Sequence, residues 1–172
     1  MIHLLQQAES LVKPWSGYYS RSIPVQTAVT YAHFAGLLVA GGFALAADRL
    51  TLRISRADAG ARQLHLAELR AVHRPVLVGL VFTGVSGILM LAADLTTFAT
   101  SLVFWIKLGL IGVLLLNGYL MTRAEQSLRG EPAAGAPGWR RLRRTSIASM
   151  ALWLTILLLG TMLPNVGSVS AS

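Results

Sequence analysis

Hydrophobic positions along this chain gather into four long runs separated by polar, arginine-bearing stretches. The first run, from Pro24 to Ala47, falls between Arg21 and Asp48, with no charged residue in between. The second runs from Pro75 to Ala93, between Arg74 and Asp94. The third extends from about Phe98 to Thr122 and contains one lysine, Lys107. The fourth extends from Thr145 to about Leu163, with Pro164 and Asn165 ending it. Each has the roughly 20 residues needed to cross a hydrocarbon core of about 30 Å. Lipid cannot satisfy backbone polar groups, so the runs are expected to be helices that pair those groups internally. The predicted architecture is all-α: a bundle of four transmembrane helices forming one domain over residues 1–172.

Shorter patterns complete this outline. Met1 to Val12 is mildly amphipathic and is followed by Trp15, Tyr18 and Tyr19, as expected of a short interfacial helix in a headgroup layer. It carries no early positive charge and is broken by Gln6, Gln7 and Glu9, so it does not read as a cleaved signal. Ala61 to Val72 has the leucine spacing of a separate short amphipathic helix, with Leu64, Leu66 and Leu69. Glu131 to Gly138, rich in Pro, Gly and Ala, reads as a loop tip.

Charge sets the orientation. Arg49, Arg53, Arg56, Arg62, Arg70 and Arg74 lie between the first two runs, and Arg123, Arg129, Arg140, Arg141, Arg143 and Arg144 between the last two. The positive-inside rule places both connections in the cytoplasm and both termini on the periplasmic side of a bacterial inner membrane. The same distribution accounts for the net charge of +8 without nucleic acid as a partner; the partner expected is the lipid bilayer. With 54% hydrophobic and 13% charged residues, the chain is too apolar for a soluble core of this size. Absence of cysteine removes disulfides, thiolate metal sites, iron–sulfur clusters and covalent c-type haem.

Within the apolar runs, His33 and Lys107 need a reason, because lipid solvates neither. Helical spacing puts Gln26, Thr30, His33, Gly36, Ala40, Ala44 and Ala47 on one stripe of the first run. Gly79, Thr83, Ser86, Met90 and Asp94 share one stripe of the second, and Ala148, Ala151, Thr155, Leu158 and Met162 one of the fourth. Small residues on such stripes permit close helix packing. Counted from the outer ends at 1.5 Å per residue, His33, Ser86, Lys107 and Thr155 all come to roughly 12–15 Å. A shared polar layer is therefore expected, built from His33, Ser86, Lys107 and Thr155, with Thr30 one turn away.

An imidazole in such a layer is a suitable axial ligand for haem iron, and a bundle lined by small residues leaves room for a porphyrin. His33 is the candidate metal ligand, and Thr30, Ser86 and Lys107 are candidate cofactor contacts. Lys107 is also the candidate catalytic residue, through a proton, an anionic substrate or a haem propionate. The plainer alternative has His33 bonded to Thr30 or a neighbouring helix and Lys107 reaching outward. His33 with Met90 and Met162 would instead make a soft copper(I) site. His65 and His73 read as solvated or headgroup-contacting, with Met121 or Met150 as inner-face neighbours of His73, and His3 as terminal. Asn117 reads as an interhelical hydrogen-bonding residue.

The run Tyr31-Ala32-His33-Phe34-Ala35-Gly36, with Gly41 and Asp48-Arg49, resembles an uncharacterised bacterial four-helix integral membrane family. Thr83-Gly84 with Gly87 and Ile88, and Trp105-Ile106-Lys107-Leu108 with Asn117, extend the likeness over roughly residues 10–165. That family is distantly similar to the copper-resistance protein D membrane domain and to the haem-containing, oxygen-independent protoporphyrinogen oxidase. In the oxidase group a histidine on the first helix and a lysine on the third form the functional pair, which the resemblance maps onto His33 and Lys107. The oxidase group usually carries a further histidine after the lysine, where this chain has Asn117 and Tyr119. The resemblance implies a b-type haem held by His33 in a redox or electron-transfer protein; if an enzyme, a membrane oxidoreductase. A non-catalytic accessory subunit of a larger membrane complex, a homo-oligomer, and a copper-handling protein are the other expectations.

Overall fold

The structure is a computed structural model and describes residues 2–54, 59–130 and 135–169, with side chains over 7–54, 60–129 and 137–162. Six helices follow one another among the described residues: α1 (Ile2–Arg21), α2 (Ile23–Ile54), α3 (Ala59–Ala93), α4 (Leu95–Thr100), α5 (Leu102–Gly130) and α6 (Gly135–Val169). Four of them, α2, α3, α5 and α6, are long and apolar enough to cross a membrane. The fold is an all-α four-helix bundle of membrane type. At 1.5 Å per residue the 32 residues of α2 extend about 48 Å, beyond a hydrocarbon core of about 30 Å, so its charged end projects past the apolar band. The end carrying the two arginine-rich connections is called the basic end below.

α2 is the hub: it packs against α3 on one side and α6 on another, and α5 packs on α6. The α2–α3 contact is close because the sequence removes side chains there. A Cβ on Gly36 would lie 2.8 Å from the Gly79 carbonyl oxygen, and one on Gly79 would lie 2.6 Å from the Ala40 amide nitrogen. Backbone meets backbone, as small residues allow in lipid. The α2–α6 contact uses the opposite device: Trp153, almost fully buried, lies against the bare face of Gly41. Trp153 belongs to a central apolar cluster with Ala40, Leu114 and Ile156. A second cluster near the basic end gathers Leu66, Leu69, Ala124, Leu128, Trp139 and Leu142.

Several boundaries differ from those the sequence predicts. The third crossing begins at Leu102, not Phe98, because the preceding residues form the separate helix α4. Asp94 caps α4 by accepting from the Thr97 amide, and Ser101 opens α5 by accepting from the Phe104 amide at 3.4 Å. Ala61 to Val72 is no separate helix; it is the first part of α3, which continues through Pro75. α6 runs on to Val169 rather than ending at Pro164. Of the expected loop tip, residues 135–138 are helical and 131–134 lie outside the described residues.

The N-terminal helix is longer than its amphipathic start and is anchored to the bundle. Trp15 Nε1 donates to the Leu89 carbonyl (2.9 Å) and Ser16 Oγ to the Ala93 carbonyl (2.7 Å), both on the last turns of α3. Gln26, expected on an inward stripe, instead donates to the carbonyls of Tyr19 and Ser20 and so caps the end of α1.

Candidate functional site

Two polar groups occupy the interior, one toward each end. The group away from the basic end contains His33. Its Nδ1 lies 3.1 Å from Ser86 Oγ, joining α2 to α3 directly above the Gly36–Gly79 crossing. The serine has one proton, and two carbonyls compete for it: Phe82 at 2.6 Å and Thr83 at 3.2 Å. Carbonyls only accept, so the hydroxyl proton goes to its own helix and the serine oxygen is left to accept from His33 Nδ1–H. The imidazole is then the Nδ1–H tautomer, and Nε2 keeps its lone pair. The ring is wedged beside Gly87 and meets Phe34 edge-on, with centroids 6.4 Å apart.

Lys107 completes this group from α5. Its Nζ is 3.3 Å from where a Cβ on Gly160 would stand, so the ammonium tucks against a bare patch of α6. It is partly buried and lies within electrostatic reach of His33. Ser86 is seven residues from the end of α3 and Lys107 five from the start of α5, so both sit about 8–11 Å inside. The expected layer therefore forms from three helices.

The fourth helix does not supply its expected member. Thr155 is exposed, and its hydroxyl donates to the Ala151 carbonyl one turn back. The stripe of Ala151, Thr155, Leu158 and Met162 faces outward; Met162 is 45% exposed. The inward face of α6 is instead Thr145, Ser149, Trp153 and Ile156. Large Trp153 fixes this phase by filling the gap at Gly41, which outweighs the small-residue pattern. Thr30 is partly buried one turn from His33 and makes no hydrogen bond to it.

The second polar group lies at the basic end, and most of it is not foreseen from the sequence. Asp48 is 1% exposed and Glu125 3% exposed. His65, expected to be solvated, is 1% exposed and its Nε2 lies 2.8 Å from Thr51 Oγ1, tying α3 to α2. His73 Nδ1–H donates to the Leu69 carbonyl (2.7 Å), while its Nε2 is 3.9 Å from Glu125. Arg129 lies 3.8 Å from the same carboxylate and also donates to the Leu66 carbonyl. Asn117 Nδ2 donates to the Thr145 carbonyl (2.9 Å), joining α5 to α6 as its polarity in an apolar run implied. The side chain of His3 lies outside the described residues.

Between α3 and α5 a cleft of about 320 Å³ opens over this group. Asp48, His73, Glu125 and Ser149 are among the residues around it, with leucines of both helices, Val72, Val76, Met121 and Trp153 among the apolar ones. Among the described residues no three His, Asp or Glu side chains come together as a metal-binding group. Comparison with protein-family models, curated proteins and solved structures finds no match to this chain.

Proposed function

We propose that this integral membrane protein holds a b-type haem through His33 Nε2 and serves redox chemistry or electron transfer in a bacterial inner membrane. One contact carries the reading: His33 Nδ1 lies 3.1 Å from Ser86 Oγ, whose own proton goes to the Phe82 carbonyl at 2.6 Å, an arrangement that would leave Nε2 for a ligand. Metal-ligating histidines use this arrangement, with the other ring nitrogen bonded to an outer-shell acceptor. His33 is the one residue here that would hold the haem iron. Asn117 and Tyr119 follow Lys107 where a second histidine would be needed, and Asn117 is already committed to the Thr145 carbonyl.

A bound haem would supply one-electron transfer. The chain's own residues would do the rest. Ser86 would hold the ring orientation, Gly87 makes room for the ring itself, and the Lys107 ammonium would offer a counter-charge for a propionate or a route for a proton. The arginine distribution supports termini on the periplasmic side. The copper reading has less support, because Met162 faces outward. The accessory-subunit reading draws on the apolar outer face of α3, where Leu77, Val81, Phe82, Val85 and Ile88 are all exposed.

An absorption spectrum of protein purified from haem-replete cells tests the proposal. The expected result is a Soret band with reduced α and β bands that disappears in His33→Ala. A spectrum without a Soret band, or one unchanged in His33→Ala, rejects it.

A further inference from the structure

α3 packs on α2 and α5 packs on α6, which leaves α3 and α5 facing each other across an open gap. The cleft in this gap is lined from Leu69 to Leu80 on α3 and from Leu114 to Glu125 on α5, about 16 Å along each helix. A volume of about 320 Å³ over that length makes it long and narrow. Its floor is buried: Leu69, Leu114 and Trp153 belong to the packed interior, and both oxygens of Asp48 lie beneath the surface. Its rims are open, since Leu77 is 61% and Leu115 53% exposed. Beside Leu115, Gly118 presents bare backbone, with nothing within 4 Å of where a side chain would start. At the basic end Arg129 closes the cleft by donating across it to the Leu66 carbonyl, and Glu125 is tied to Arg129 and His73. The opening is therefore sideways, toward the hydrocarbon of the bilayer.

Positive charge gathers beside this opening. On α3, Arg74 and Arg70 stand one and two turns beyond Leu77 toward the basic end, on the same side of the helix. On α5, Arg123 stands two turns beyond Leu115 and lies over the Tyr119 ring at 5.1 Å. All three arginines are exposed, and among the described residues none of them forms an ion pair. Guanidinium groups bind phosphate through paired N–H donors, and basic pockets between transmembrane helices hold anionic headgroups. The occupant that matches both features carries a hydrocarbon chain and a phosphate on one molecule. A soluble anion would leave the leucine-lined cleft empty, and an uncharged lipid would leave the arginines unpaired.

We propose that this cleft takes one acyl chain of an anionic phospholipid, whose phosphate is held by Arg70, Arg74 and Arg123. The chain enters from the side and lies along the helices against Leu77, Leu80, Leu115 and Gly118. The arginines select the headgroup and the cleft seats the chain, which sets this site apart from the general attraction of a basic surface. It is at the opposite end of the bundle from His33, so the proposal stands independently of haem.

Native mass spectrometry of the full chain, released from dodecyl maltoside micelles, tests it. The probes are dioleoyl phosphatidylglycerol and dioleoyl phosphatidylcholine, which differ only in headgroup. The expected result is saturable binding of one phosphatidylglycerol per chain, about tenfold or more tighter than phosphatidylcholine, as guanidiniums near an anionic headgroup provide. Arg70→Gln, Arg74→Gln and Arg123→Gln together are expected to reduce phosphatidylglycerol to the level of phosphatidylcholine. Arg141→Gln, Arg143→Gln and Arg144→Gln, on the exposed side of α6, remove the same charge from the same end and are expected to leave the preference intact. Gly118→Phe fills the cleft from a position with open space around it, and is expected to abolish the tight binding. Equal binding of the two lipids, equal loss in the two arginine variants, or wild-type binding by Gly118→Phe overturns the proposal. No saturable binding of either lipid also overturns it, and leaves the cleft to a helix of a partner protein.

Discussion

Ser86 decides which nitrogen of His33 is available: its oxygen, already donating to Phe82 at 2.6 Å, accepts from the imidazole at 3.1 Å. Replacing the serine removes the acceptor while leaving the ring in place against Gly87. Ser86→Ala is therefore expected to weaken haem affinity by about 10–100-fold, the usual cost of losing an outer-shell partner. Haem titration of the apoprotein, followed at the Soret band, measures this. Wild-type affinity in Ser86→Ala would separate the serine from ligand orientation.

Close approach of α2 and α3 at Gly36 and Gly79 leaves no room for a side chain. Gly36→Leu is expected to destabilise the bundle by about 1–3 kcal/mol through overpacking. Gly84, further along α3, has nothing within 4 Å of the position an added methyl would take, so Gly84→Ala should be neutral or slightly stabilising. Thermal unfolding in detergent compares the two.

Asn117 links α5 to α6 through the Thr145 carbonyl. Asn117→Leu should lower stability by about 0.6–1.7 kcal/mol, the range measured for interhelical hydrogen bonds in membranes. Denaturant or steric-trap unfolding in micelles reads the change. Loss of haem in this variant, with stability retained, would give Asn117 a role at the cofactor.

The Lys107 ammonium lies near His33 and is held against Gly160. Lys107→Met keeps the length and volume of the side chain but removes the charge. With haem bound, a nearby cation favours the reduced, less positive iron, so the variant is expected to keep its Soret band and titrate at a lower midpoint potential. Redox titration against the wild type checks the sign.

The four crossings are legible in the sequence because apolar runs of about 20 residues, nearly free of charge, match the thickness of a bilayer and exceed what a small soluble core can bury. The pairing of His33 with a neighbouring helix is also legible, from the phase of Ser86 on α3. What escapes is context. Residues 94–97 read as a short link between crossings, but Asp94 caps a separate helix there, α4, and Ser101 caps α5 after it. On α6 the small residues point to the wrong face, because one tryptophan fitted to Gly41 outweighs several alanines. Asp48 closes the first apolar run beside Arg49, and Glu125 lies between Arg123 and Arg129, so neither stands out in the sequence. Only the long continuations of α2 and α5 past the apolar runs fold these acids inward. Their signal is present in part, in the hydroxyl pair Ser146 and Ser149 that faces Asp48 from α6.

Haem ligation by this chain requires a bare lone pair on His33 Nε2, and ring-nitrogen NMR of ¹⁵N-histidine protein, assigned with His33→Ala, observes it directly. The expected spectrum shows His33 protonated at Nδ1 and unprotonated at Nε2, with the Nε2 signal shifted or broadened when haem is added. A His33 ring protonated at Nε2, or one whose signals ignore added haem, would contradict it.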